Sequence, residues 1–164
     1  MNDILDRDMA RIAAAARPAA KAMSQASSGA KNAALLAVAA SLEKAAAEIL
    51  RINGLEVAAL GDAAPAFVDR MTLTLARLAD MASGIRAVAA LADPLGKVIA
   101  KWSRPNGLQF QRVRVPIGVI AVIYESRPNV TIDAAAIAIK AGNAVILRGG
   151  SECIRTNSCL AHVF

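Results

Sequence analysis

In the first half of the chain, apolar residues recur at helical spacing. Leu35, Leu42 and Ile49 stand one heptad apart, with Ala39, Ala46 and Leu50 on the same stripe. Glu43, Lys44, Glu48 and Arg51 fall largely on the other side. Ser27, Ser28 and Gly29 offer a cap before this stretch, and Gly54 is placed to end it in a left-handed conformation. Gly61 and Pro65 interrupt the pattern. Thr74 can cap a further helix carrying Leu75, Leu78, Ala82, Ile85 and Ala89, which Pro94 stops. An earlier, weaker amphipathic helix spans Met9 to Met23 and is interrupted by Pro18.

The pattern changes near Val98. Asn106-Gly107 is a turn signal between two possible strands, and Phe110, Val113 and Val115 alternate imperfectly with arginines. An exposed or edge strand, bulged, fits that sequence. Val119 to Tyr124 is a continuous apolar run rich in β-branched residues, the pattern of a strand covered on both faces. The polar loop Glu125 to Asn129 follows, then a helix from Thr131 to Ala141, a stop at Gly142-Asn143, and a second buried strand, Ala144 to Leu147. This order makes a right-handed βαβ unit. The fold class expected is α/β: N-terminal helices over 1–97, then 98–164 as the incomplete first βαβ unit of a Rossmann-like nucleotide-binding domain. Ligands of such units gather beyond the carboxyl ends of the strands, here at 125–129 and 148–152. A parallel sheet of two main strands also leaves open edges, so self-association is expected of the chain alone.

Composition narrows the classes. The 164 residues suit about one domain, and 56% hydrophobic with 20% charged residues excludes a disordered chain. Aromatic residues make up 3%, too few for a base-stacking surface. The formal charge of +6 comes from scattered Lys and Arg, which suits a solvated surface or a site for an acidic or phosphorylated ligand. The apolar run Val115 to Tyr124 lies between Arg114 and Glu125 and is far short of the roughly 18 residues of a membrane span. Asp3, Asp6 and Asp8 stand where a secretory leader would be basic, so a reducing cytoplasm is expected. Cys153 and Cys159 beside the single His162 make no zinc set, and no metal is expected.

Candidate chemistry sits at the strand ends. Asn129 can donate a hydrogen bond to an oxygen that turns negative in a transition state, or can cap its helix. Arg148 can bind a phosphate or ribose, or simply face solvent. Gly149-Gly150 can let a ligand approach the backbone closely, although no G-x-G-x-x-G fingerprint is present. Glu125, Ser126 and Arg127 can line the same edge. Cys153, near Arg155, and Cys159 read as incidental thiols, since nothing marks either as a lowered-pKa nucleophile.

The segments Arg112 to Thr131, Lys140 to Glu152, Asp69 to Leu73 and Leu91 to Gly96 closely resemble the γ-glutamyl phosphate reductase family, a branch of the aldehyde dehydrogenase superfamily. Tyr124 to Asn129 and Leu147 to Glu152 are its most specific matches. The resemblance implies NADPH-dependent reduction of L-glutamyl 5-phosphate to glutamate 5-semialdehyde with release of phosphate, the second step of proline synthesis. It implies that Asn129 donates to the thiohemiacetal oxygen. It places Ser126, Arg127 and Pro128 beside the nicotinamide half of NADPH. Arg148, with Gly149, falls where the superfamily has a lysine reaching the adenosine ribose, and an arginine suits a 2′-phosphate. The acid that accompanies that lysine aligns with Ser151 or Glu152. A homo-oligomer and the upstream glutamate kinase are the implied partners. The family is longer than this chain, and neither Cys153 nor Cys159 falls at its nucleophile position. Ser158 to Phe164 does not look like the family's helix, so an early end, as from a shifted reading frame, and an inactive fragment are expected. The alternatives are a non-enzymatic helical interaction module and, with least support, a basic nucleic-acid binder.

Overall fold

The computed structural model describes residues 2–164, with side chains from residue 6 onward. Five helices come first: α1 (Asn2–Gln25), α2 (Ser28–Lys44), α3 (Ala46–Ala58), α4 (Pro65–Met71) and α5 (Leu75–Ala90). The hairpin β1 (Val98–Ser103) and β2 (Gln109–Val113) follows, then β3 (Val119–Ile123), α6 (Asn129–Lys140), β4 (Ala144–Arg148) and α7 (Ile154–Ala161). Among the described residues, no helix is long and apolar enough to cross a membrane.

The caps at Ser27 and Thr74 form as the sequence suggests. Ser27 Oγ accepts from the Ala30 N–H and Thr74 Oγ1 from the Arg77 N–H, each at 3.1 Å. Several boundaries differ from the pattern: α1 begins before Met9, Pro65 opens the short helix α4, and α6 begins at Asn129 and not Thr131. Pro18 lies inside a continuous α1, in a stretch whose alanines favour helix. Gly54 does not end its helix. It lies inside α3, which runs on to Ala58 because the buried face continues past it to Glu56. The long stripe is divided at Ala45, where α2 turns toward α5 and α3 toward α7.

Leu35, Val38, Ala39 and Leu42 of α2 pack against Leu78, Met81, Ala82, Ile85 and Ala89 of α5, and the same core takes in Ile49, Ile132, Ala136 and Leu160. Fully burying a leucine or isoleucine contributes roughly 1.5–3 kcal/mol, so these residues carry most of the drive to fold, while the alanines set close approach. Two buried ammonium groups tie the layers together. Lys31 meets Asp93 at 2.6 Å. Lys140 donates to Asn32 Oδ1 at 2.5 Å and to the Ala89 carbonyl at 2.8 Å, placing a cation on the carboxyl end of α5.

The tail also departs from expectation. α7 is helical through Ala161, and Thr156 and Leu160, one turn apart, are fully buried. Helical spacing turns both toward α3 and α6, which a reading of Ser158 to Phe164 alone does not reveal.

β3 and β4 pair in parallel, with Val119 opposite Ala144 and Ile123 opposite Arg148. α6 and α1 both pack on β4, α1 burying Ala16 and Ala20, and the apolar residues of β4 are half-buried. β3 is not covered on both faces. Ile120 and Val122 are half-buried, but Val119, Ala121 and Ile123 face outward, with Ile123 78% exposed, because among the described residues no layer covers that face of the strand. Gly142 makes the stop before β4. Its φ of +71° would strain any side chain, and a Cβ there would come within 2.6 Å of Leu95 Cδ1 and push it aside. The β1–β2 hairpin is exposed and bulged between Val98 and Ala100, and Trp102 stacks on Phe110 at 5.5 Å.

Candidate functional site

Because β3 and β4 are parallel, the loops that leave them, 124–128 and 149–153, emerge side by side. The Tyr124 N–H donates to the Arg148 carbonyl at 3.0 Å and prolongs the pairing. A clasp then joins the loops. Ser126 Oγ donates to Glu152 Oε2 at 2.5 Å, and Ser151 Oγ to Glu152 Oε1 at 3.2 Å. The hydroxyl of Ser126 favours the ionised carboxylate and holds Glu152 below the usual carboxylate range.

The two glycines serve this clasp. A Cβ on Gly150 would overlap Ser126 Oγ and come within 2.7 Å of Glu152 Oε2. One on Gly149 would overlap Asn157 Nδ2 and lie 2.9 Å from the Tyr124 ring. Their bare sides therefore face protein. Both glycines also line a cleft, so a ligand that approached them would meet other backbone atoms and not these sides. Behind them runs a chain of hydrogen bonds. Tyr124 Oη and Thr131 Oγ1 are 2.7 Å apart, Thr131 Oγ1 donates to Asn157 Oδ1 at 3.2 Å, and Asn157 Nδ2 donates to Cys153 Sγ at 3.3 Å. Burial pushes the Tyr124 hydroxyl above its ordinary range, against the opposing effect of Thr131. It pushes the thiols of Cys153 and Cys159 up as well, so neither is activated as a nucleophile.

Asn129 is the first residue of α6 and is half-buried. No side chain caps that helix, and the amide Nδ2 donates instead to Asp133 Oδ2 at 3.2 Å. The capping role open to Asn129 on sequence grounds is thus not the one it takes. It lines a cleft of about 370 Å³ between the start of α6 and the α4–α5 corner, with Arg127 and Asp133 on one wall and Asp69, Arg70 and Arg77 on the other. Arg77 is pinned to the carbonyl oxygens of Asp69 and Thr72 and to Asp69 Oδ1 at 2.8 Å. Arg127 pairs with Glu125 at 2.6 Å, and Arg70 approaches the same carboxylate at 3.9 Å.

Arg148 and Gly149 line a second cleft, also about 370 Å³, with Tyr124, Ser151, Asn157 and Ser158. The Arg148 guanidinium stands exposed at the end of β4. Ser126 and Pro128 line neither cleft, because both are buried, Ser126 against Glu152 of the facing loop. Of the expected nicotinamide-side residues, only Arg127 presents its side chain. The structure thus brings Asn129 and Arg127 together, and Arg148 and Gly149 together, in neighbouring but separate hollows.

The sequence reading overlooked four contributors. Asp133 is one helical turn beyond Asn129, a spacing that could have flagged it. Arg70 and Arg77 lie in and after the Asp69 to Leu73 segment, yet no role was attached to them. Glu56, on α3, accepts from the Arg155 N–H at 2.8 Å, the Thr156 N–H at 2.9 Å and Thr156 Oγ1 at 2.5 Å, capping α7 from outside its own sequence.

The aldehyde dehydrogenase family model matches residues 2–164. The chain belongs to the aldehyde dehydrogenase family. Within that family it is similar to the γ-glutamyl phosphate reductase of Koribacter versatilis (strain Ellin345), at 51% identity over 149 residues, covering 91% of this chain and 36% of the relative. It is also 51% identical over 154 residues to the γ-glutamyl phosphate reductase of Brucella anthropi, covering 93% of this chain and 36% of that one. The chain thus spans about a third of the length of the curated relatives it matches. The crystal structure of γ-glutamyl phosphate reductase from Thermotoga maritima superposes with a TM-score of 0.86 at 38% identity, over 90% of this chain and 36% of that one. The Saccharomyces cerevisiae enzyme gives 0.88 at 33% identity, over 93% and 40%. The helical segment and the βαβ unit of this aldehyde dehydrogenase family member therefore take the arrangement found in those reductases.

Proposed function

We propose that the chain is the N-terminal helical segment (1–97) and the opening of the Rossmann-like NADP-binding domain (98–164) of a cytoplasmic, homo-oligomeric reductase. The reaction is NADPH-dependent conversion of L-glutamyl 5-phosphate to glutamate 5-semialdehyde, with release of phosphate. The observation that carries this reading is the Asn129 amide. It stands at the carboxyl edge of β3, in a cleft, and is not consumed by capping its own helix.

NADPH supplies the hydride when bound. The residues at hand fit such a group in part. Arg148, exposed at the end of β4 beside a cleft, presents the forked donor that a 2′-phosphate takes. The bare sides of Gly149 and Gly150 are filled by protein, so any contact there is made by other backbone atoms. The Ser126–Glu152 clasp holds the two loops in fixed relation and with them Asn129 and Arg148. Asn129 donates to the carbonyl oxygen of the acyl group as that oxygen gains negative charge. The upstream glutamate kinase is the partner that supplies the acyl phosphate.

The test is a spectrophotometric assay of the full-length protein that carries this chain. NADPH oxidation should require L-glutamyl phosphate, generated in place by glutamate kinase and ATP, and should release one phosphate per NADPH. NADPH oxidation that proceeds without the acyl phosphate, or none with it, overturns the reading.

A further inference from the structure

Asn129 occupies the first position of α6 and donates to Asp133 Oδ2 at 3.2 Å, one turn along the same face. Both side chains line the cleft against the α4–α5 corner. The terminal torsion of an asparagine is broad and roughly two-fold, so an unrestrained amide presents its oxygen about as readily as its nitrogen. An ionised carboxylate only accepts hydrogen bonds, so a neighbour such as Asp133 decides which end of the amide is which. It engages one N–H and leaves the second for a ligand. Among the described residues, no lysine or arginine pairs with Asp133. The arginines of the cleft are committed elsewhere, Arg77 to Asp69 and both Arg127 and Arg70 to Glu125.

We infer that Asp133 is a positioning residue: its carboxylate holds the Asn129 amide so that an N–H, and not the carbonyl oxygen, faces the acyl oxygen of the substrate. This rests on the reading of Asn129 as the donor to that oxygen. A wrongly turned amide would set two oxygen dipoles against each other where negative charge develops, so the cost falls on the chemical step and not on binding.

The experiment is steady-state kinetics of the full-length protein that carries this chain, with variants N129A, D133A, D133N and the double variant N129A/D133A. D133A should lower kcat by about 10–100-fold and change KM less than about twofold, the size of a misplaced catalytic group. D133N should recover kcat only in part, because its carboxamide oxygen can accept the same bond but its own N–H groups can equally hold the Asn129 amide turned the wrong way. In the N129A background, D133A should cost less than about twofold more, since it acts only through the amide it holds. In the chain itself, D133A should shift the side-chain amide proton pair of Asn129 in a ¹⁵N correlation spectrum while leaving distant backbone peaks in place. That spectrum also reports whether the variant folds.

A D133A variant with unchanged kcat and a raised KM overturns the inference and assigns Asp133 to the substrate's ammonium group. Losses that multiply in the double variant, or an unmoved Asn129 amide pair, overturn it too. An N129A variant that loses less than tenfold removes the underlying reading, and this inference falls with it. A large N129A effect beside a silent D133A removes this inference alone.

Discussion

Removal of Glu56 tests the packing that places α7. Its carboxylate is buried and accepts from two backbone N–H groups in the first turn of α7 and from the Thr156 hydroxyl, at 2.8, 2.9 and 2.5 Å. α7 has no capping side chain of its own. In Glu56→Ala these donors lose their acceptor, and those on Thr156, whose residue is fully buried, cannot turn to water. An unsatisfied buried donor costs about 1–3 kcal/mol, and loss of a helix cap typically about 1 kcal/mol, so the sum expected is about 3 kcal/mol. For a chain of this size that lowers Tm by about 6–12 °C. Urea unfolding followed by far-UV circular dichroism should show a lower midpoint with an unchanged slope. If the loss is confined to α7, it appears as faster amide exchange at Arg155 and Thr156 with little global change. Glu56→Gln should recover part of the loss, because one oxygen remains. A variant with parental stability and parental exchange in α7 would show that Glu56 does not cap α7.

Two further outcomes concern stability. Asp93 is disfavoured as an anion by burial, but the ammonium of Lys31 and the Leu95 N–H more than offset this and hold its carboxyl below the ordinary value of 3.8. Between the lowered folded value and the ordinary one the unfolded chain binds more protons, so stability should rise with pH across that window and be lost as pH falls through it. Asp93→Asn should lower stability at neutral pH and flatten this acid slope, and urea midpoints between pH 2 and 5 that keep the parental slope would contradict the assignment. Gly149→Ala should force the Tyr124 ring and the Asn157 amide aside and cost about 1–3 kcal/mol in urea unfolding. A stable variant that only weakens nucleotide binding would mean that a ligand, not protein, occupies that side.

How far the sequence discloses this molecule depends on which force is at work. The heptad of Leu35, Leu42 and Ile49 and the serine and threonine caps are local or periodic, and α2 and α5 follow from them. The same stripe continues one heptad further to Glu56, but there it is polar, so hydrophobic periodicity stops while the buried face does not. Gly54 then looked like an end, although the helix needed none. The βαβ unit was legible because Gly142-Asn143 and the two apolar runs mark it. The exposure of β3 was not, since continuous apolarity does not say how many layers cover a strand. At the site, a strand-end asparagine could be read as donor or cap, and the cap is absent because the amide turns along the helix to Asp133. Gly149-Gly150 read as room for a ligand, whereas on the Cβ side that room is taken by Tyr124, Ser126, Glu152 and Asn157, of which only Glu152 belongs to the same loop. Side chains that meet across the fold leave no trace in spacing.

The measurement closest to the central claim is the turnover of Asn129→Ala in the full-length protein, with saturating acyl phosphate and NADPH. An amide that stabilises the developing negative oxygen predicts a loss of about 10²–10³ in kcat. A loss below about tenfold, with folding intact, would contradict the account.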